Sequence, residues 1–106
     1  MGRHTIDTLI VDDDVLARKK LCVLLERDPD FRIIGECTTA ADAVRAVRQS
    51  RPALMFLDIQ MPDEDGFTVI NGIEPELRPK IIFTTAYDQY AIQAFEAEAV
   101  DYLLKL

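Results

Sequence analysis

The chain has 106 residues, a formal net charge of −7 and 49% apolar residues. That length suits one domain with a single core. The only basic cluster is Arg18-Lys19-Lys20, which argues against nucleic-acid binding by this segment, because neutralising phosphates takes several cations on one face. No apolar run approaches the ~20 residues of a membrane span. Met1-Gly2-Arg3-His4-Thr5 holds no leader-like apolar core, so a cytoplasmic protein is expected. Cys22 and Cys37 lack metal-ligand spacing and read as reduced core thiols.

In chain order, residues 8–11 form a short apolar run bounded by charge, as in a buried parallel strand. Asp12, Asp13 and Asp14 precede a helical pattern with Ala17, Leu21, Leu24 and Leu25 expected on one face. Acids before a first turn satisfy its orphan N–H groups and favour the positive dipole end. Asp28-Pro29-Asp30 stops that helix. Residues 31–37 are less apolar and read as an edge strand. Thr39 with Asp42 makes a weak capping box before a helix that turns Ala43, Val44 and Val47 inward and ends at Ser50-Arg51-Pro52.

Residues 53–57 are a third strand, and residues 58–66, with Met61-Pro62, several acids and Gly66, read as a loop. A short helix is expected over residues 67–73, with Pro75 and Pro79 bracketing a surface connection. Residues 80–84 form a fourth strand, residues 89–98 an Ala-rich helix and residues 101–104 a fifth strand. Strand–helix alternation predicts a doubly wound parallel α/β sheet, and five strands fit the flavodoxin-like order 2-1-3-4-5.

Four of the apolar runs stop at reactive groups: Asp12-Asp13, Asp58, Thr84-Thr85 and Lys105. In an open parallel sheet the chemistry gathers outside the carboxyl ends of the strands. Capping alone accounts for an isolated acidic pair, and a lone Asp after a strand is usually a turn residue. Three converging carboxylates cost stability unless a cation joins them. Mg²⁺ is commonly held by one or two carboxylates, a carbonyl and waters. A hydroxyl and an ammonium add what a phosphoryl group requires.

These motifs, in this order, closely resemble a bacterial response-regulator receiver domain, whose fold is CheY-like. They are Leu9-Ile10-Val11-Asp12-Asp13, Asp58-Ile59-Gln60-Met61-Pro62-Asp63-Glu64-Asp65-Gly66-Phe67, Phe83-Thr84-Thr85-Ala86 and Asp101-Tyr102-Leu103-Leu104-Lys105. The run from Thr85-Ala86-Tyr87-Asp88 to Phe95-Glu96 is similar to the LytTR (LytR/AlgR-type) subfamily, in which a β-rich DNA-binding domain follows. The resemblance implies that Asp58 accepts a phosphoryl group from a sensor histidine kinase. It implies that Asp13, Asp58 and the Gln60 backbone carbonyl bind Mg²⁺, with Asp12 acting through water. It also implies that Thr85, which precedes Ala86, is the switch hydroxyl, Lys105 the phosphoryl-pairing lysine and Tyr102 the switch aromatic.

Leu106 stands where the family has a proline, and no fifth helix follows. Residues 1–106 are therefore expected to be a receiver domain cut before its fifth helix, with the output domain absent and DNA reached only through it. The uncovered face is expected to favour a homodimer or an exchanged element. Two other readings exist: a Mg²⁺-dependent phosphatase of haloacid-dehalogenase type, and a degenerate receiver serving only as an interaction module. The first needs a Thr or Val where Leu16 stands and a longer chain; the second conflicts with the intact set of Asp12, Asp13, Asp58, Thr85 and Lys105.

Overall fold

A computed structural model describes residues 5–61, 64–85 and 101–104. Its elements are β1 (Ile6–Val11), α1 (Val15–Glu26), β2 (Phe31–Cys37), α2 (Ala40–Ser50), β3 (Leu54–Asp58), β4 (Gln60–Met61), β5 (Glu64–Asp65), α3 (Gly66–Asn71), a 3₁₀ turn (Pro75–Leu77), β6 (Lys80–Thr85) and β7 (Asp101–Leu104). The main sheet is wholly parallel in the order β2-β1-β3-β6-β7, with β2 at an edge as its weaker apolar character implied. Setting the short β4–β5 ladder aside, this is the expected 2-1-3-4-5 order. The chain has the doubly wound, CheY-like receiver fold. The expected helix over residues 89–98 lies outside the described residues.

Alternation along the central strands divides the core in two. Leu9, Val11, Met55, Leu57, Ile81 and Phe83 face α2 and α3, joining Ala43, Val47, Val69 and Ile70. Ile10, Leu54 and Phe56 face the other way and pack with Leu25, Leu21 and Cys22 of α1. Complete burial of Val47 contributes roughly 1.5–3 kcal/mol. Arg48 ties α2 to the turn after α3, donating to Glu74 Oε1 at 2.9 Å and to the Gly72 carbonyl at 3.3 Å.

Two expectations need correction. Leu24 is 56% exposed, whereas Leu25 is buried. Successive helical residues are rotated by about 100°, and the inward stripe runs through Arg18, Leu21, Cys22 and Leu25, at relative positions i, i+3, i+4 and i+7. Residues 58–66 are not all loop. Gln60 pairs with Asp65 and Met61 with Glu64 in a small antiparallel ladder, which brings Gly66 back beneath the end of β3. Its short, charged strands gave no period-2 signal to read.

Candidate metal centre

The site is built at the carboxyl edge of β1 and β3, which are hydrogen-bonded neighbours, with Val11 opposite Leu57. The next residues, Asp12 and Asp58, are therefore side by side, and each is only 4% exposed. Asp13 follows on the solvent side. One carboxylate oxygen from each of Asp12, Asp13 and Asp58 lies within 4.8 Å of the other two. At an effective dielectric near 20, two unit charges that far apart repel by about 3 kcal/mol; pairs with exposed Asp13 are screened below that. Hard oxygen donors at this spacing suit Mg²⁺, whose charge offsets their repulsion.

Local structure explains why these acids converge. Asp14, not Asp12 or Asp13, is the N-cap of α1, its side chain accepting from the Leu16 N–H at 2.9 Å. Capping therefore does not account for Asp13. Asp12 Oδ1 accepts the Asp14 N–H at 2.9 Å, and the Asp12 N–H donates to the Cys37 carbonyl at 3.0 Å. Burial, then the charge of Asp42, pushes the Cys37 thiol above its ordinary range. On the other side, the Ile59 N–H donates to the Thr84 carbonyl at 3.2 Å, and the Gly66 N–H to the Ile59 carbonyl at 2.7 Å. The end of β3 is thus tied to β6 and to the start of α3.

Asp58 pairs with Thr84 across β3 and β6, so these two side chains stand on one face of the sheet. Thr84 is 6% exposed, and its hydroxyl is the one buried side-chain polar atom without a hydrogen-bond partner among the described residues. Thr85, the expected switch hydroxyl, ends β6 opposite Leu104, and Tyr102 pairs with Phe83. Gln60 begins β4 two residues beyond Asp58. Lys105 lies outside the described residues.

Sequence reasoning passed over Arg18. Its Nη1 donates to the Asp12 carbonyl at 2.8 Å and its Nε to Glu36 Oε1 at 3.2 Å, with the side chain 15% exposed. A signal was present, because Arg18 occupies the inward stripe of α1 with Leu21, Cys22 and Leu25.

Comparison with known proteins accords with this geometry. Residues 8–106 match the response regulator receiver domain family, and the chain belongs to that family. Over 100 residues it is 52% identical to the transcriptional regulatory protein BtsR of Salmonella typhi, covering 94% of this chain and 42% of that protein. It is 50% identical over 101 residues to the sensory transduction protein LytT of Bacillus cereus, covering 94% of this chain and 41% of that one. These relatives bear out the LytTR-type resemblance. The chain spans about two fifths of the length of the relatives it matches. Among solved structures, a LuxR-family two-component response regulator from Aurantimonas sp. SI85-9A1 superimposes with a TM-score of 0.85 at 28% identity, covering 95% of this chain and 74% of that one. The response regulatory domain of mrkE from Klebsiella pneumoniae gives 0.82 at 32% identity, covering 94% and 83%.

Proposed function

We propose that this receiver domain is a phosphorylation switch in which Asp58 accepts a phosphoryl group from a phosphohistidine on a sensor histidine kinase. The observation that carries the reading is the convergence of Asp12, Asp13 and Asp58, two of them buried, at the carboxyl edge of a parallel sheet. A carboxylate oxygen of Asp58 attacks phosphorus, the P–N bond breaks, and its electron pair returns to the imidazole. Mg²⁺, when bound, supplies the positive charge that lets an anionic acid meet an anionic phosphoryl group. Asp13, Asp58 and the Gln60 carbonyl would hold it, with Asp12 acting through water.

The phosphoryl group adds about two negative charges and three acceptor oxygens. Thr85 and Lys105 turn toward them, and the Tyr102 ring moves into the space that Thr85 leaves. That rearrangement biases a two-state equilibrium read by an output domain. Half-identity to BtsR and LytT supports a LytTR-type DNA-binding output regulating transcription, with DNA reached only through that domain. Residues 1–106 are then the receiver portion, acting in the cytoplasm. No described helix is long and apolar enough to cross a membrane.

Incubation with a small phosphodonor and Mg²⁺, followed by intact mass, tests the reading. One phosphoryl adduct is expected, absent with chelator and absent in Asp58→Asn. Steady turnover of phosphomonoesters would support the phosphatase alternative instead, and no adduct on a longer chain carrying the output domain would support a pure interaction module.

A further inference from the structure

We propose that Arg18 is a positioning residue for the divalent cation, an inference that rests on reading Asp12, Asp13 and Asp58 as the metal site. Asp12 is held from three directions. Its N–H is held by the Cys37 carbonyl of β2, its Oδ1 by the Asp14 N–H, and its carbonyl by Arg18 of α1. The Asp12 carbonyl belongs to the same rigid peptide plane as the Asp13 N–H. Arg18 therefore sets the orientation of the plane that leads into Asp13, the exposed member of the cluster. Glu36 holds the guanidinium in place from β2, so one side chain braces the ends of two strands against the first helix. The planar fork of arginine can serve both acceptors at once; a lysine ammonium on a flexible stem cannot hold that geometry.

Charge and geometry act here with opposite signs, which makes the role testable. As a bystander cation bonded to the Asp12 carbonyl, Arg18 would repel a divalent ion bound at the cluster, and its removal would tighten binding. As a brace, its removal loosens the Asp12–Asp13 peptide and weakens binding. Groups that orient metal ligands typically change affinity by roughly 10–100-fold when removed.

The experiment is a calorimetric Mg²⁺ titration of the full chain as wild type, Arg18→Lys and Arg18→Met. Each variant is accompanied by a thermal melt without metal and by the Asp13 amide resonance. The brace predicts that both variants bind Mg²⁺ at least about tenfold more weakly and that the Asp13 amide shifts in metal-free Arg18→Lys, whose charge is unchanged. Unchanged affinity in Arg18→Lys, with equal or tighter binding in Arg18→Met, overturns the proposal while leaving the metal site intact. A wild-type chain that binds no Mg²⁺ overturns the metal reading itself. Should Arg18→Met melt out, Arg18→Lys alone decides the question.

Discussion

Replacing Gly66 by alanine should damage the site from below without touching any of its charged groups. A methyl group built on Gly66 stands 2.8 Å from the Asp58 carbonyl oxygen and 3.2 Å from both Ile59 Cα and Leu57 Cγ. Two of these are backbone atoms, and they cannot turn aside as a side chain can. The Ile59 N–H is tied to Thr84 on β6, and the Ile59 carbonyl accepts the Gly66 N–H itself at 2.7 Å. Overpacking of this kind costs about 1–3 kcal/mol. Alanine returns up to about 1 kcal/mol of helix propensity, less in a first turn. The net loss is therefore about 1–2 kcal/mol, and the melting temperature should fall by about 5–15 °C. Relief of the clash must move the Asp58–Ile59 peptide, so Mg²⁺ affinity should fall as well. Far-UV circular dichroism melts without metal, paired with a Mg²⁺ titration, measure both effects. A Gly66→Ala chain that melts at or above wild type would refute the close-approach argument.

Other substitutions probe other parts of the account. Thr84→Val removes a buried hydroxyl with no hydrogen-bond partner among the described residues and keeps the side chain's shape, so denaturant unfolding should show about 1 kcal/mol of added stability; a loss of that size would show that the hydroxyl is in use. Mg²⁺ at ten times its dissociation constant should add about 1.4 kcal/mol to wild type, and thermal shift should find most of that gain missing in Asp13→Asn. Arg51 ends α2 at φ 46°, in the left-handed region, so Arg51→Gly should stabilise by about 0.5–1 kcal/mol in urea unfolding. The folded-state thiol of Cys37 is pushed up by burial and by Asp42, so its contribution is complete below the ordinary thiol pKa and is lost as pH rises through the folded value. Urea titrations from neutral to alkaline pH should show that loss in wild type and a smaller one in Cys37→Ala.

Much of this architecture was legible because its signals are local. The runs at Leu9–Val11 and Leu54–Leu57 are apolar on both faces, as strands covered on both sides must be, and each stops at an acid that the β1–β3 register then sets beside the other. Thr39 and Asp14 are caps that a sequence can show, although three successive acids did not reveal which one caps until the helix start at Val15 was known. What stayed hidden lies in segments too short to show a period, in angular position along α1 and in strand register. The β4–β5 ladder rests on only two residue pairs, too few for a periodic signal. Leu24 sits one residue, about 100°, away from the buried Leu25 and falls off the inward stripe, whereas the charged Arg18 falls on it. The Asp58–Thr84 pairing, which leaves a buried hydroxyl across from Asp58, follows from register alone.

The central claim, that Asp58 is the residue that takes the phosphoryl group, is tested most directly by trapping the adduct. Borohydride reduces an aspartyl phosphate to homoserine, and peptide mass spectrometry then locates the change. After incubation with a phosphodonor and Mg²⁺, the account predicts homoserine at position 58 and nowhere else. Homoserine at position 12 or 13, or a phosphorylated chain with aspartate intact at position 58, would contradict it.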